Sequence, residues 1–352
     1  MRRARPASLA TVALLLVAGA AAAEPAAADR AATPAQLRSR WQHIAGEIGG
    51  KVGVAAVLVE TGERVAVNGA ARFPMASVYK FPIALAVLDG VDRGGLRLAD
   101  SLALLARDLR PGAGALKLPP GSDRIFVRVD RLLALAVGES DNTASDALLR
   151  SVGGPAAVMR RLRGLGITGI DVSRFEVGLM ADWSGVAVLP PEPQWTRERI
   201  DSLVAAVPPG RRQAAGRAYE TDPRDTATPE AMAQLLAKFH LGGALSPAGT
   251  ARLRRLMEDT ATGSGRIKGR LPAGTVVAHK TGTMGTVCND VGVVTLPGGR
   301  GHLALAVFLK GSAQPRARLE WAIAELARAA YDYFAVPPTA PPAPPPRSSS
   351  PR

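Results

Sequence analysis

Three short groups of residues in this 352-residue chain carry side chains suited to nucleophilic chemistry. The first is Ser77-Val78-Tyr79-Lys80, where Phe73-Pro74 ends one segment and an apolar, helix-like stretch begins. A serine three positions before a lysine places both side chains on one helical face. The helix N-terminus there favours a developing anion at Ser77, and Lys80 is within reach to take or relay its proton. The second group, Ser140-Asp141-Asn142, stands between two helical patterns and offers a hydroxyl and an amide from a loop. The third, His279-Lys280-Thr281-Gly282-Thr283, closes a strand-like run. Lys280 and the hydroxyls of Thr281 and Thr283 suit a carboxylate, and Gly282 permits close backbone approach. Taken singly, each group also reads as ordinary structure: a capped helix with a surface lysine, an N-cap run before Thr143, and a charged edge strand.

The ordered set is far more specific than its parts. S-x-x-K, S-D-N and K-T-G in this order form the signature of class A β-lactamases and penicillin-binding proteins. The chain resembles a class A serine β-lactamase from about Trp41 to Phe334, and AGTVVAHKTGT followed by Asn289-Asp290-Val291-Gly292 is similar to the extended-spectrum branch of Gram-negative bacteria. That resemblance implies Ser77 as the acylated nucleophile, Lys80 as its proton relay and Ser140 as the donor toward the lactam nitrogen. It implies Asn142 on the substrate side-chain amide, and Lys280, Thr281 and Thr283 on the substrate carboxylate. Arg266 matches a position where family members supply a second carboxylate-binding cation. The backbone N–H groups of Ser77 and Thr283 would form the oxyanion hole, usually a large share of the rate.

A second base separates a hydrolase from a mere penicillin binder. Arg174-Phe175-Glu176-Val177-Gly178-Leu179 resembles the family's R-x-E-x-x-L segment, which makes Glu176 the base for the deacylating water. Asp222 to Pro229 resembles the far end of the same Ω loop, with Asp225 the partner of Arg174. Two departures stand out. Met180 occupies the place of an Asn or His that helps hold the water, and a thioether makes that hydrogen bond poorly. The loop 174–225 is also longer than the family's usual loop by roughly three dozen residues, enough to need structure of its own. Ile200, Leu203, Val204 and Val207 follow helical spacing within it, which predicts a small helical cap near the cleft mouth.

The elements that must hold these groups follow from periodicity. A helix is expected over Gln36 to Ile48, then strands Val52 to Val59 and Arg64 to Val67 joined by Glu60-Thr61-Gly62-Glu63. Helical patterns dominate from Ser77 to about Lys238, and strands return at Val276 to Lys280, Val291 to Leu296 and His302 to Phe308 before a final helix, Arg316 to Phe334. The expected fold is α+β: an antiparallel sheet of N- and C-terminal strands, flanked by helices, with an inserted all-helical lobe. The corresponding units are 36–72 with 266–336 for the sheet lobe and 73–265 for the helical lobe, including the enlarged loop.

Composition narrows the surroundings. An apolar fraction of 47% excludes a largely disordered chain. Arg2, Arg3 and Arg5, the apolar stretch Ser8 to Ala20 and Ala21-Ala22-Ala23 read as an export signal over 1–23, giving an exported, periplasmic protein free of the membrane after cleavage. Losing those three arginines lowers the net charge from +14 to +11. The bases are scattered among acids and aromatics are only 4%, so the charge reads as solvated surface and no nucleic-acid partner is expected. One cysteine, Cys288, excludes an intrachain disulfide, and the four histidines show no ligand spacing, so no metal or other cofactor is expected. The Pro/Ser-rich tail 337–352 has nothing to pack with. The expected activity is hydrolysis of penicillins and cephalosporins by a monomer. The alternatives are a penicillin-binding D,D-peptidase or esterase-like relative, and a β-lactam binder that deacylates slowly.

Overall fold

A computed structural model describes residues 32–336. The expected signal 1–23 and the tail 337–352 lie outside the described residues.

Helix α1 (Pro34–Ile48) starts on a capping box at Thr33 and buries Leu37, Trp41, Ile44 and Ile48, the expected stripe. Strands β1 (Lys51–Leu58) and β2 (Arg64–Val67) form a hairpin, and β3 (Phe73–Pro74) leads to a 3-10 turn, Ala76–Tyr79, and helix α2 (Lys80–Asp92). A two-stranded ribbon, β4 (Ser101–Leu105) with β5 (Arg124–Arg128), interrupts the helices. Then come α3 (Val129–Ala134), which runs into one π-helical turn, α4 (Asn142–Ser151), α5 (Pro155–Gly164), α6 (Glu176–Ser184), α7 (Arg197–Ala205) and α8 (Pro209–Tyr219). Strand β6 (Thr226–Ala227) pairs with β3, and α9 (Pro229–His240) and α10 (Pro247–Glu258) precede the closing strands β7 (Val277–Met284), β8 (Val287–Thr295) and β9 (His302–Lys310) and helix α11 (Arg316–Ala335).

The main sheet has the order β2-β1-β9-β8-β7, antiparallel throughout. It is built from the two ends of the chain, as expected. Alternation along each strand sends Val52, Val54, Ala56 and Leu58 and, from β9, Leu303, Leu305, Val307 and Leu309 into the core under α1 and α11. Ala304, Ala306 and Phe308 face the other core, shared with α2, α4, α9 and α10. Both faces are covered, so these strands read as continuous apolar runs. Trp41 in α1 donates its indole N–H to the Leu326 carbonyl in α11 at 3.0 Å, tying the chain ends together behind the sheet.

Two expectations are corrected. The inserted lobe is mainly helical but carries the β4–β5 ribbon and the β3–β6 pair. The ribbon's outer residues alternate exposed with half-buried, so its strand character gives little apolar signal. The strand expected to stop at Lys280 continues to Met284, because a tight Gly285-Thr286 turn returns the chain in register with Met284 opposite Val287. Gly285 there has φ +55°, which its lack of a Cβ permits.

Candidate active site

Ser77 is half-buried in the 3-10 turn that opens α2, above a wholly buried Lys80. Its approach is strained: Ala76 has φ +45°, a left-handed conformation uncommon outside glycine. Asn289 in β8 holds that segment, donating its amide to the carbonyls of Pro74 at 2.9 Å and Met75 at 3.0 Å. Strand β7 passes so close that a Cβ on Gly282 would collide with the Met75 carbonyl, which gives the glycine of Lys280-Thr281-Gly282 a steric reason.

Lys80 Nζ is the hub. It donates to the Ser140 carbonyl at 2.7 Å and to Asn142 Oδ1 at 2.6 Å, and lies 3.3 Å from Ser77 Oγ and 3.5 Å from Ser140 Oγ. Glu176 Oε1 is 3.1 Å away as a buried ion pair. That pair is close in distance but poorly aligned, so Glu176 Oε1 makes no hydrogen bond within the described residues. Ser140 sits at φ +61° between the π-helical turn and α4, a strained position that turns its carbonyl toward Lys80. Asp141 caps α4 through Ala144 N at 2.8 Å and holds Ala115 N at 2.8 Å. The N-cap reading and the chemical reading of Ser140-Asp141-Asn142 therefore both hold, for different residues.

From the opposite wall Lys280 reaches Ser140 Oγ at 3.0 Å and the Thr281 carbonyl at 3.1 Å. Burial pushes the Lys280 ammonium well below the ordinary lysine value, and the positive charge of Lys80 adds to that. Thr281 Oγ1 shares a 2.6 Å hydrogen bond with Thr262. Arg266 is buried beneath the strand, donating to the carbonyls of Asn289 at 2.8 Å and Gly282 at 3.3 Å and to Thr283 Oγ1 at 2.7 Å, with Glu320 as counter-ion at 3.0 Å. Thr283 itself is exposed on the edge strand.

Arg174 and Asp225 close the loop over this floor as a buried pair, Nε to Oδ2 at 2.6 Å. Asp225 also accepts from Ser173 N at 2.7 Å and Arg174 N at 3.2 Å, and its carbonyl accepts from Met75 N at 2.9 Å. One residue thus joins the loop to the segment that carries Ser77.

With this constellation in place, comparison with known proteins gives a consistent result. The model of the β-lactamase enzyme family matches residues 36–334. The chain belongs to that family. Among curated relatives, the extended-spectrum β-lactamase PER-1 of Pseudomonas aeruginosa is 34% identical over 289 residues, covering 80% of this chain and 82% of that one. The β-lactamase VEB-1 of the same organism is 30% identical over 292 residues, covering 81% and 85%. A solved β-lactamase from Chitinophaga pinensis superposes with a TM-score of 0.70 at 32% identity, covering 84% of this chain and 98% of that one. The extended-spectrum β-lactamase TLA-1 gives a TM-score of 0.70 at 30% identity, covering 86% and 99%. This β-lactamase is therefore a class A serine enzyme related to the extended-spectrum group, and no described helix is long and apolar enough to cross a membrane.

Two residues of this β-lactamase escaped the sequence reading. Asp146, one turn after Asn142 on the same face of α4, accepts the Glu176 backbone N–H at 2.8 Å and pairs with Arg110 at 2.5 Å. Both are buried. An Asn–Asp pair at i,i+4 on a wholly buried helix face was a readable signal for Asp146. Arg110, in an irregular loop, left none. The extra loop residues form α7 and α8, as a helical cap should. Tyr219 of α8 packs with Ala76, Leu179 and Val287, with Trp183 and Met284 at its edge. A cavity of about 510 Å³ lies between α8 and the β7–β8 turn, lined in part by Trp183, Tyr219 and Met284. Met180 is half-buried near Gly112 and Asn142.

Proposed function

We propose that the protein is an exported, periplasmic, monomeric β-lactamase that hydrolyses penicillins and cephalosporins through an acyl-enzyme on Ser77. The observation that carries this reading is the buried ammonium of Lys80, within 3.3 Å of Ser77 Oγ and 3.1 Å of Glu176 Oε1. Ser77 Oγ attacks the lactam carbonyl while its proton leaves toward the Lys80–Glu176 pair. The backbone N–H groups of Ser77 and Thr283 receive the oxyanion, a fixed dipole pair that needs no reorganisation. As the C–N bond breaks, Ser140 passes its proton to the lactam nitrogen and is resupplied from the lysines on either side. Lys280, Thr281, Thr283 and Arg266 take the substrate carboxylate, Arg266 through its hold on Thr283. Asn142, fixed by Lys80 and by the Pro111 carbonyl at 3.0 Å, takes the side-chain amide.

In deacylation Glu176 removes a proton from water as it attacks the ester, and Ser77 recovers its proton as leaving group. The unaligned Oε1 of Glu176 gives that water an acceptor. Arg174 and Asp225 hold the loop that carries it.

Steady-state hydrolysis of a chromogenic cephalosporin, with intact-mass detection, tests the reading on wild type and Glu176→Ala. Sustained turnover in wild type and a trapped adduct in the variant are expected. Met180 favours one rival, a β-lactam binder that deacylates slowly, because it offers the water no hydrogen bond. A stoichiometric burst that stalls in wild type would establish that rival instead.

A further inference from the structure

The four histidines carry no metal-ligand spacing in sequence, yet the fold gathers two of them with a carboxylate outside the catalytic groups. Glu60 follows β1 in the β1–β2 turn, His240 ends α9 and His302 begins β9. One potential ligand atom from each lies within 4.8 Å of the others. His302 Nδ1 is 2.7 Å from Glu60 Oε1, and the His302 backbone N–H donates to Glu60 Oε2 at 2.9 Å. The His240 and His302 rings lie against one another, centroids 4.0 Å apart and tilted by 39°. Backbone chemistry supports the arrangement: Gly301 has φ +98°, and a Cβ there would collide with the Glu60 carboxylate.

We propose that Glu60, His240 and His302 form a binding site for a late first-row divalent cation such as Zn²⁺. Two imidazoles and one carboxylate are the donor set such ions prefer, and three protein ligands leave a coordination position for water. The donors need to close by about an ångström to reach bonding distances, which partly exposed side chains can do. Binding at His302 Nδ1 replaces its contact with Glu60 by the cation, and the neutral ring then carries its proton on Nε2. Burial, and then the neighbouring His302, hold His240 below the ordinary histidine value. Neutral rings are the ligating form. The charge of Arg254, itself paired with Glu258 at 3.6 Å, acts on His240 in the same direction, and the Glu60 carboxylate opposes it.

The bound cation would clip the β1–β2 turn, the end of α9 and the start of β9, three segments distant in sequence. The site shares no residue with the catalytic groups, so hydrolysis would proceed with or without it. Its effect is on stability, through preferential binding to the folded chain.

Isothermal titration of the chelator-stripped full-length protein with zinc chloride provides the test, alongside the thermal midpoint with and without zinc. One equivalent bound and a raised midpoint are expected. His240→Ala, His302→Ala and Glu60→Gln should each weaken binding by at least about tenfold while leaving hydrolysis unchanged. The rival ligand pair is His43 with Glu47, 3.2 Å apart on α1. Binding that survives the three substitutions, or that is lost in His43→Ala, would overturn the proposal, as would the absence of any zinc binding.

Discussion

The floor of the cleft, drawn from several elements, and the cap, one stretch holding α7 and α8, are built on opposite principles. The floor is buried and polar: Lys80, Ser140, Asn142, Asp146, Glu176 and Lys280 are all under 8% exposed, and most of their charges meet a counter-charge or a hydrogen bond. The cap is largely exposed and simply amphipathic. Helix α7 buries only Ile200, and α8 only Tyr219. A buried polar network fixes position, because each member left unpaired costs the full desolvation of its group. An amphipathic cap fixes only proximity. The difference assigns chemistry to the floor and shape to the cap, and substitutions in the two should behave differently.

The largest effect is expected at Asp146. Replacing it with Ala leaves Arg110 buried without its counter-ion and removes the acceptor of the Glu176 N–H. Breaking a buried pair from one side costs about 3–5 kcal/mol. Asp146→Ala should therefore lower unfolding stability by about that amount and slow deacylation more than acylation, since Glu176 loses its anchor while Ser77 and Lys80 keep theirs. Urea unfolding together with acyl-enzyme lifetimes by mass spectrometry measures both. Equal loss in the two chemical steps would mean that the floor behaves as one block, without separable parts.

A smaller effect tests the opposite wall. Burial and the charge of Lys80 lower the Lys280 value, so its ammonium loses its proton at a lower pH than an ordinary lysine. The charge proposed to receive the substrate carboxylate is present at low pH and disappears as pH rises through that lowered value. In the range where an ordinary lysine remains charged, KM should therefore rise with pH while kcat changes less. The sign for stability is the reverse of the usual salt bridge. Between the folded and the unfolded value the unfolded chain binds more protons, so this group's cost to stability is relieved as pH increases. A pH profile of KM and kcat for wild type and Lys280→Arg checks this: the arginine variant should lose the alkaline rise in KM.

Much of the floor was legible in the chain because its chemistry sits on regular elements. Ser77 and Lys80 share a helical face, Lys280 and Thr283 lie on one strand, and the Arg174–Glu176–Leu179 register marks the loop. The sheet was legible too, since its strands are long apolar runs buried on both faces. What escaped detection lacked such a pattern. The β4–β5 ribbon buries little, Arg110 sits in an irregular loop, and the Glu60–His240–His302 cluster unites residues up to 242 positions apart. Periodicity reports what one element buries against its neighbours; it carries no trace of which separate elements meet.

The smallest effect is expected in the cap. Ile200 is the single buried anchor of α7, at 1% exposure, but the helix around it is mostly exposed. Truncation to Ala in a fully enclosed core costs about 2–5 kcal/mol, and a thin cap that can collapse or fray belongs at the lower end of that range. Ile200→Ala should loosen α7, seen as faster amide exchange in that helix, and leave acyl-enzyme formation and breakdown on a small penicillin within about twofold of wild type. Substrates with bulky side chains are a sharper probe, because α8 and the β7–β8 turn border the 510 Å³ cavity. A change in KM confined to those substrates would locate the cap's influence in shape. A fall in deacylation of the small penicillin would instead show that α7 reaches Glu176 through its contacts with α6, and the division between floor and cap would fail.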